Sequence, residues 1–204
     1  MSIEPNQKPS SIRYQAELTF KYLLEFFKNP IHKIASLPDW EWLHLVAVLI
    51  MTSIVSGILA GLVSRSIYHA IFGIFILPVL SLITEFILAS FFYYYFQVFE
   101  KRMVSFKRLW ALVIFANIPF FLFQVVSSLL APITLIGLAF TGLLLVVGLS
   151  ENFQMDKRRA MRLIGILYFV IFLVWLWNKV ELSSLDRKMS ASTFTSGSKT
   201  TGAS

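Results

Sequence analysis

Glu85 is the only ionisable carboxylate or base deep inside an apolar stretch of this chain. A charge at the centre of a bilayer is costly, so such a residue is a functional candidate by default. Measured at 1.5 Å per residue from the same end of each apolar segment, Glu85 lies about 16 Å in, Ser53 about 15, Thr141 about 12, Asn117 about 10 and Gln124 about 21. These five residues can form one polar layer near the midplane. No Lys or Arg lies at that depth, so Glu85 is expected as a neutral acid hydrogen-bonded within the layer. Two chemistries follow: a carboxyl that couples to protons or binds a substrate, or a neutral acid that only fixes helix packing.

Other chemistries lack their residues. The chain contains no cysteine, which excludes thiol catalysis, disulfides and thiolate metal sites. Its apolar segments contain no aspartate, and HExxH, a Gly-rich phosphate loop and zinc-ligand spacings are all absent. Of the three histidines, His32 and His44 fall on one side of the membrane and His69 on the other. A non-enzymatic protein without metal or other cofactor is expected.

The elements that must position these residues are helices in a membrane. Of 204 residues 57% are apolar and 14% charged, with a mean hydropathy of +0.73; a soluble domain of this size carries more charge. Five apolar stretches stand out, at 43–63, 71–96, 110–130, 132–149 and 163–180, each near the ~20 residues a spanning helix needs. All five tryptophans (Trp40, Trp42, Trp110, Trp175, Trp177) fall at their ends, where an amphipathic ring prefers the interface. Pro78 and Pro119 interrupt the second and third stretches. The expected fold is an all-α polytopic bundle of five transmembrane helices, residues 43–180, with an N-terminal amphipathic helix.

Residues 1–11 are polar, lack the apolar core of a signal peptide and are expected to be a flexible, untranslocated segment. Residues 12–42 are expected as a helix and linker. Ile12, Ala16, Phe20, Leu23 and Phe27 recur at helical spacing against a charge ladder of Arg13, Glu17, Lys21 and Glu25. The apolar face can lie among lipid headgroups or pack beneath the bundle. Asp39 and Glu41 stand where a following helix N-terminus favours acid. Residues 181–204, rich in Ser and Thr, are expected to be a disordered tail.

Alternating sides of the membrane divide the Lys and Arg residues thirteen to five. The rich side holds the N-terminal segment and the second and fourth loops, so the positive-inside rule puts the N-terminus in the cytoplasm and the C-terminus outside. Lys101, Arg102, Lys107, Arg108, Lys157, Arg158, Arg159 and Arg162 thus form a basic cytoplasmic face, able to set topology and to grip anionic lipid headgroups or a protein partner at about 1 kcal/mol per residue. The net charge of +7 forms no dense stripe, and no nucleic-acid partner is expected. Gly57 and Gly61, spaced as GxxxG, are expected to pack helices closely, within the bundle or between copies in a homo-oligomer.

Several short motifs go together. A lead-in helix closes on Lys28-Asn29-Pro30; Ser105-Phe106-Lys107-Arg108-Leu109 opens a span carrying Ala116-Asn117-Ile118-Pro119; Gly148-Leu149-Ser150-Glu151 leads to Lys157-Arg158-Arg159-Ala160 before the last span. In these the chain resembles the Yip1-domain family of five-span membrane proteins over roughly residues 27–177. The resemblance implies a bundle with a cytoplasmic N-terminus and an external C-terminus. Eukaryotic members are similar to vesicle-trafficking factors that associate with prenylated GTPases and with one another. The Tyr-Gly-Pro motif of many of those is absent here, so the resemblance is to compact bacterial members; it carries over no catalytic residue. It implies a bacterial cytoplasmic membrane, with a eukaryotic ER or Golgi membrane as the alternative. The expected work is membrane organisation, trafficking-type scaffolding or partner recruitment. The alternative is a small transporter or lipid-handling protein using the midplane site.

Overall fold

The structure is a computed structural model that describes residues 12–127, 130 and 132–197. Seven helices and no strand occur among them: α1 (Ile12–Lys28), α2 (Pro30–Ile34), α3 (Trp42–Ser64), α4 (Ile67–Val98), α5 (Phe106–Val125), α6 (Ile133–Phe153) and α7 (Lys157–Gly197). α3, α4, α5, α6 and the Lys157–Trp177 part of α7 are long and apolar enough to cross a membrane. The chain is a multi-pass integral membrane protein. It forms two compact units divided between Ile164 and Gly165.

In the first unit, α3 and α4 form a hairpin. The turn depends on Arg65, whose N–H meets the carbonyls of Gly61 and Leu62 and whose left-handed backbone (φ 50°) turns the next N–H, of Ser66, back onto the Gly61 carbonyl at 3.1 Å. Lipid gives apolar side chains no reason to leave it, so helices must gain by close packing. Here Gly57 lies backbone to backbone against Gly73, and Gly61 against Ala70. The small residues expected to allow close approach therefore join α3 to α4 within one chain.

α5 is the centre of the unit: each residue from Leu109 to Ala116 is buried. α3 runs alongside it in the same direction, with Trp42 stacked on Phe106 (6.0 Å) and Ser56 Oγ donating to the Phe121 carbonyl at 2.7 Å. α6 returns antiparallel. Gly148 receives Leu112, and Gly137 receives Phe120 and Phe123. α1 and its linker close the remaining side, where the rings of Tyr22, Phe26 and Trp40 meet Phe115 at 5.0, 6.0 and 5.3 Å. Tyr22 also donates to the Lys33 carbonyl (3.1 Å), and Lys33 pairs with Glu25. In the second unit α7 continues, with Phe172 stacked on Trp175 at 6.3 Å.

Of the two positions open to the apolar side of α1, packing uses Tyr22 and Phe26 against Phe115 and leaves the Phe20–Phe27 edge exposed. Two expectations change. Helices α5 and α7 begin earlier than the apolar stretches, at Phe106 and Lys157; a charged side chain interrupts hydropathy without interrupting backbone hydrogen bonding. Glu41 stands at the N-terminus of α3 as expected, without a side-chain cap bond, while Asp39 turns to Lys107. Beyond residue 180, α7 remains helical to Gly197: no Pro or Gly stands between Gly165 and Gly197, and low apolar content rules out a core, not a helix.

Replacing Gly57 by alanine would drive a Cβ into the Gly73 backbone. We expect a loss of about 1–3 kcal/mol, typical of overpacking, against about 0.5 kcal/mol or less for the exposed Leu62→Ala. Reversible unfolding of both variants in mixed micelles checks this.

Candidate functional site

Two helices bring Glu85 and Asn117 together. Asn117, on α5, donates from Nδ2 to Oε1 of Glu85, on α4, at 3.4 Å, a long hydrogen bond. Glu85 is 1% exposed, and its Oε2 has no hydrogen-bond partner among the described residues. The buried Thr141 Oγ1 is likewise unpaired. Two contacts fix the register of α6 on α5, Gly137 against Phe120 and Phe123, and Gly148 against Leu112. Interpolating between them brings Thr141 to the level of Ile118, one residue from Asn117.

The other two residues of the expected layer do not join it. Ser53 is buried, but its hydroxyl donates to the Leu49 carbonyl of its own helix at 2.7 Å. Gln124 is half-buried two turns beyond Asn117, about 10 Å along the axis. The site is therefore a pair, Glu85–Asn117, with Thr141 at the same level. A buried unpaired carboxyl oxygen can accept or donate one further hydrogen bond, from a water, a ligand group or a proton carrier.

At the end of the unit where α3, α5 and α7 begin, polar contacts tie the loops into one face. Arg159 bonds Glu100 at 3.1 Å, and Arg102 lies 3.6 Å from the same carboxylate and over the Phe96 ring. Lys107 pairs with Asp39 at 2.6 Å. Asn152 holds the linker: its Nδ2 donates to the carbonyls of Ile34 (2.7 Å) and Gly148 (3.1 Å), while its Oδ1 accepts from Leu37 N–H at 3.3 Å. Lys101, Arg108, Lys157, Arg158 and Arg162 are exposed on this face. Asn152, Asp39 and Glu100 were not singled out for these contacts from sequence. A polar residue at an apolar helix end carries no sign of which distant backbone it will meet.

Charge neighbours move two carboxyls outside the spans. The hydrogen bond and charge of Lys107 hold the Asp39 carboxyl below its ordinary value, and Lys33 does the same for Glu25. Burial pushes the Tyr22 phenol up. Among the described residues no three His, Cys, Asp or Glu side chains come together as a metal site. His32 is exposed, and the His69 side chain lies outside the described residues.

The match that decides the family spans most of this architecture: residues 25–178 match the Yip1 domain. The chain belongs to the Yip1 family. Its Yip1 domain runs from the last turn of α1 through α6 and on to the end of the fifth apolar helix, so it contains both Glu85–Asn117 and the tied basic face. No curated protein and no solved structure matches the chain.

Two outcomes are expected. Glu85→Leu and Asn117→Leu should each destabilise the fold by leaving the other polar group unpaired. The double variant should be milder than their sum by about 0.5–1.7 kcal/mol, the range for hydrogen bonds between membrane helices; a double-mutant cycle measures this coupling. The Asp39–Lys107 tie should also depend on pH. A carboxyl whose folded value is depressed contributes stability above its unfolded value and loses it as pH falls through the folded one. The stability difference between wild type and Asp39→Asn should therefore be present at neutral pH and fade below the ordinary Asp value of 3.8, as followed by thermal unfolding across pH.

Proposed function

We propose that this Yip1-domain protein is a non-enzymatic membrane scaffold whose basic face holds anionic phospholipid headgroups and, through them or beside them, a membrane partner. The observation that carries this reading is the position of its cations. Lys107 and Arg108 lie in the first turn of α5, and Lys157, Arg158 and Arg159 in the first turn of α7; Asp39 pairs with Lys107, Glu100 with Arg159, and Asp156 accepts from the Arg159 N–H, which leaves Arg108, Lys157 and Arg158 exposed. A helix N-terminus carries partial positive charge and disfavours a cation by about 0.3–1 kcal/mol. An anionic leaflet offsets this at about 1 kcal/mol per residue, and helix N-terminal N–H groups are themselves suited to phosphate. Cations placed against the local dipole thus make sense where phosphate headgroups meet them. The basic side would face the cytoplasm with the C-terminus outside, in a bacterial cytoplasmic membrane; an ER or Golgi membrane would present the same chemistry.

A second reading, a small transporter or lipid-handling protein, draws on one specific observation: the fully buried Glu85, bonded to Asn117 through one oxygen and with the other unpaired.

Native mass spectrometry from mild detergent with mixed zwitterionic and anionic lipids separates the two. We expect retained anionic lipid that falls several-fold when Arg108, Lys157, Arg158 and Arg162 are changed to Gln and that is unchanged by Glu85→Gln. A bound lipid or small molecule lost only with Glu85→Gln would instead favour the midplane reading.

A further inference from the structure

α1 carries two apolar edges, and packing uses one. At 100° per residue, Tyr22 and Phe26 lie on the side that meets Phe115. Phe20, Leu24 and Phe27 fall within an arc of about 60° on the opposite side, and Ile31 is exposed in α2, beyond the break in helical backbone at Asn29. These four are 64%, 46%, 50% and 62% exposed. They lie outside the five spanning segments, where water would ordinarily disfavour a row of large apolar side chains.

The depth of α1 decides what stands outside it. Phe115, the residue beneath Tyr22 and Phe26, is nine residues into α5, about 13 Å from its start at 1.5 Å per residue. The rings of Tyr22 and Phe26 therefore reach the first half of the membrane-crossing α5, while Tyr22 Oη bonds the Lys33 carbonyl near the end of the unit. Exposed Glu17, Lys28 and Lys21 stand about 60°, 80° and 100° around α1 from Phe20. Lysines there can extend their long stems toward the headgroups. An exposed apolar row beside a charged flank, on a helix whose other side packs on a membrane-crossing helix, is the arrangement of a helix lying at one leaflet. Four half-exposed side chains offer on the order of 400 Å², well short of the roughly 800 Å² per partner of a stable protein interface.

We propose that the Phe20, Leu24, Phe27 and Ile31 edge of α1–α2 is seated among the phospholipid acyl chains of the leaflet on this side, with Lys21 and Lys28 at the headgroups. The element then displaces lipid in one leaflet only, and the N-terminal helix belongs to the membrane-embedded body of the protein. This does not depend on the basic face being a recruitment site.

The absence of cysteine from the chain makes the test direct. Single variants Leu24→Cys and Ile31→Cys, labelled with an environment-sensitive fluorophore, are placed in nanodiscs made with or without brominated phosphatidylcholine. Leu80→Cys, exposed within α4, supplies the lipid reference, and Ser36→Cys, in the exposed linker, the water reference. We expect roughly twofold or greater quenching by brominated lipid and protection from aqueous iodide, matching Leu80 and not Ser36. Iodide quenching like that of Ser36 would overturn the proposal by placing the edge in water. Protection from both quenchers would overturn it in favour of a second copy or a protein partner. Each probe changes one exposed side chain, and native thermal unfolding of the labelled protein verifies that the fold is intact.

Discussion

Residues 109–116 of α5 have no face left for lipid, and a membrane helix enclosed on every side needs neighbours able to come close. Lipid tails are as apolar as leucine, so enclosure cannot be driven by escape from the solvent; it must come from contact and from hydrogen bonds that would otherwise be unmade. α6 approaches through Gly137 and Gly148, and α3 through Ser56, which reaches a backbone carbonyl of α5. The last side is closed by aromatic rings from α1 and the linker. α3 and α4 are joined in turn by Gly57 and Gly73, so a few small residues set the spacing of the unit.

That enclosure also explains the polar pair. Asn117 sits on the helix with the fewest routes to water, and Glu85 meets it from α4. A single buried polar group would be costly in this setting; two that share a hydrogen bond are less so, although the bond is long and leaves one carboxyl oxygen unmet. Ser53, at similar depth by sequence, is satisfied within its own helix. Short hydroxyl side chains can return to the preceding turn, whereas a carboxyl on a longer stem reaches across.

The face at which α3, α5 and α7 begin is built differently, by ion pairs and an amide. Asn152 joins the linker to α6, Lys107 joins it to α5, and Glu100 gathers Arg102 and Arg159. Such exposed pairs contribute little stability individually, but they converge on the same short loops. The exposed cations beside them are held near helix N-termini, and α1 lies against the adjoining part of α5. Under the two proposals, lipid headgroup and acyl chain would then be met by neighbouring parts of one chain, Phe20 and Leu24 standing just before the Yip1 domain begins at residue 25.

The apolar stretches, the interfacial tryptophans and the alternation of basic loops were legible along the chain because a bilayer imposes length and composition on each segment separately. So were the GxxxG spacing and the isolation of Glu85, which are local patterns. Partner choice was not legible. Whether Gly57 meets another copy or Gly73, whether Glu85 bonds Asn117 or Ser53, and which edge of α1 faces the bundle all depend on the rotation and register of helices distant in sequence. Helical periodicity places Phe20 and Phe27 on one edge and Tyr22 and Phe26 on another, and both are apolar. Only the tertiary structure could select between them, because Phe115 and Trp40 offer rings to one edge and nothing in the local sequence of α1 records where those rings will be.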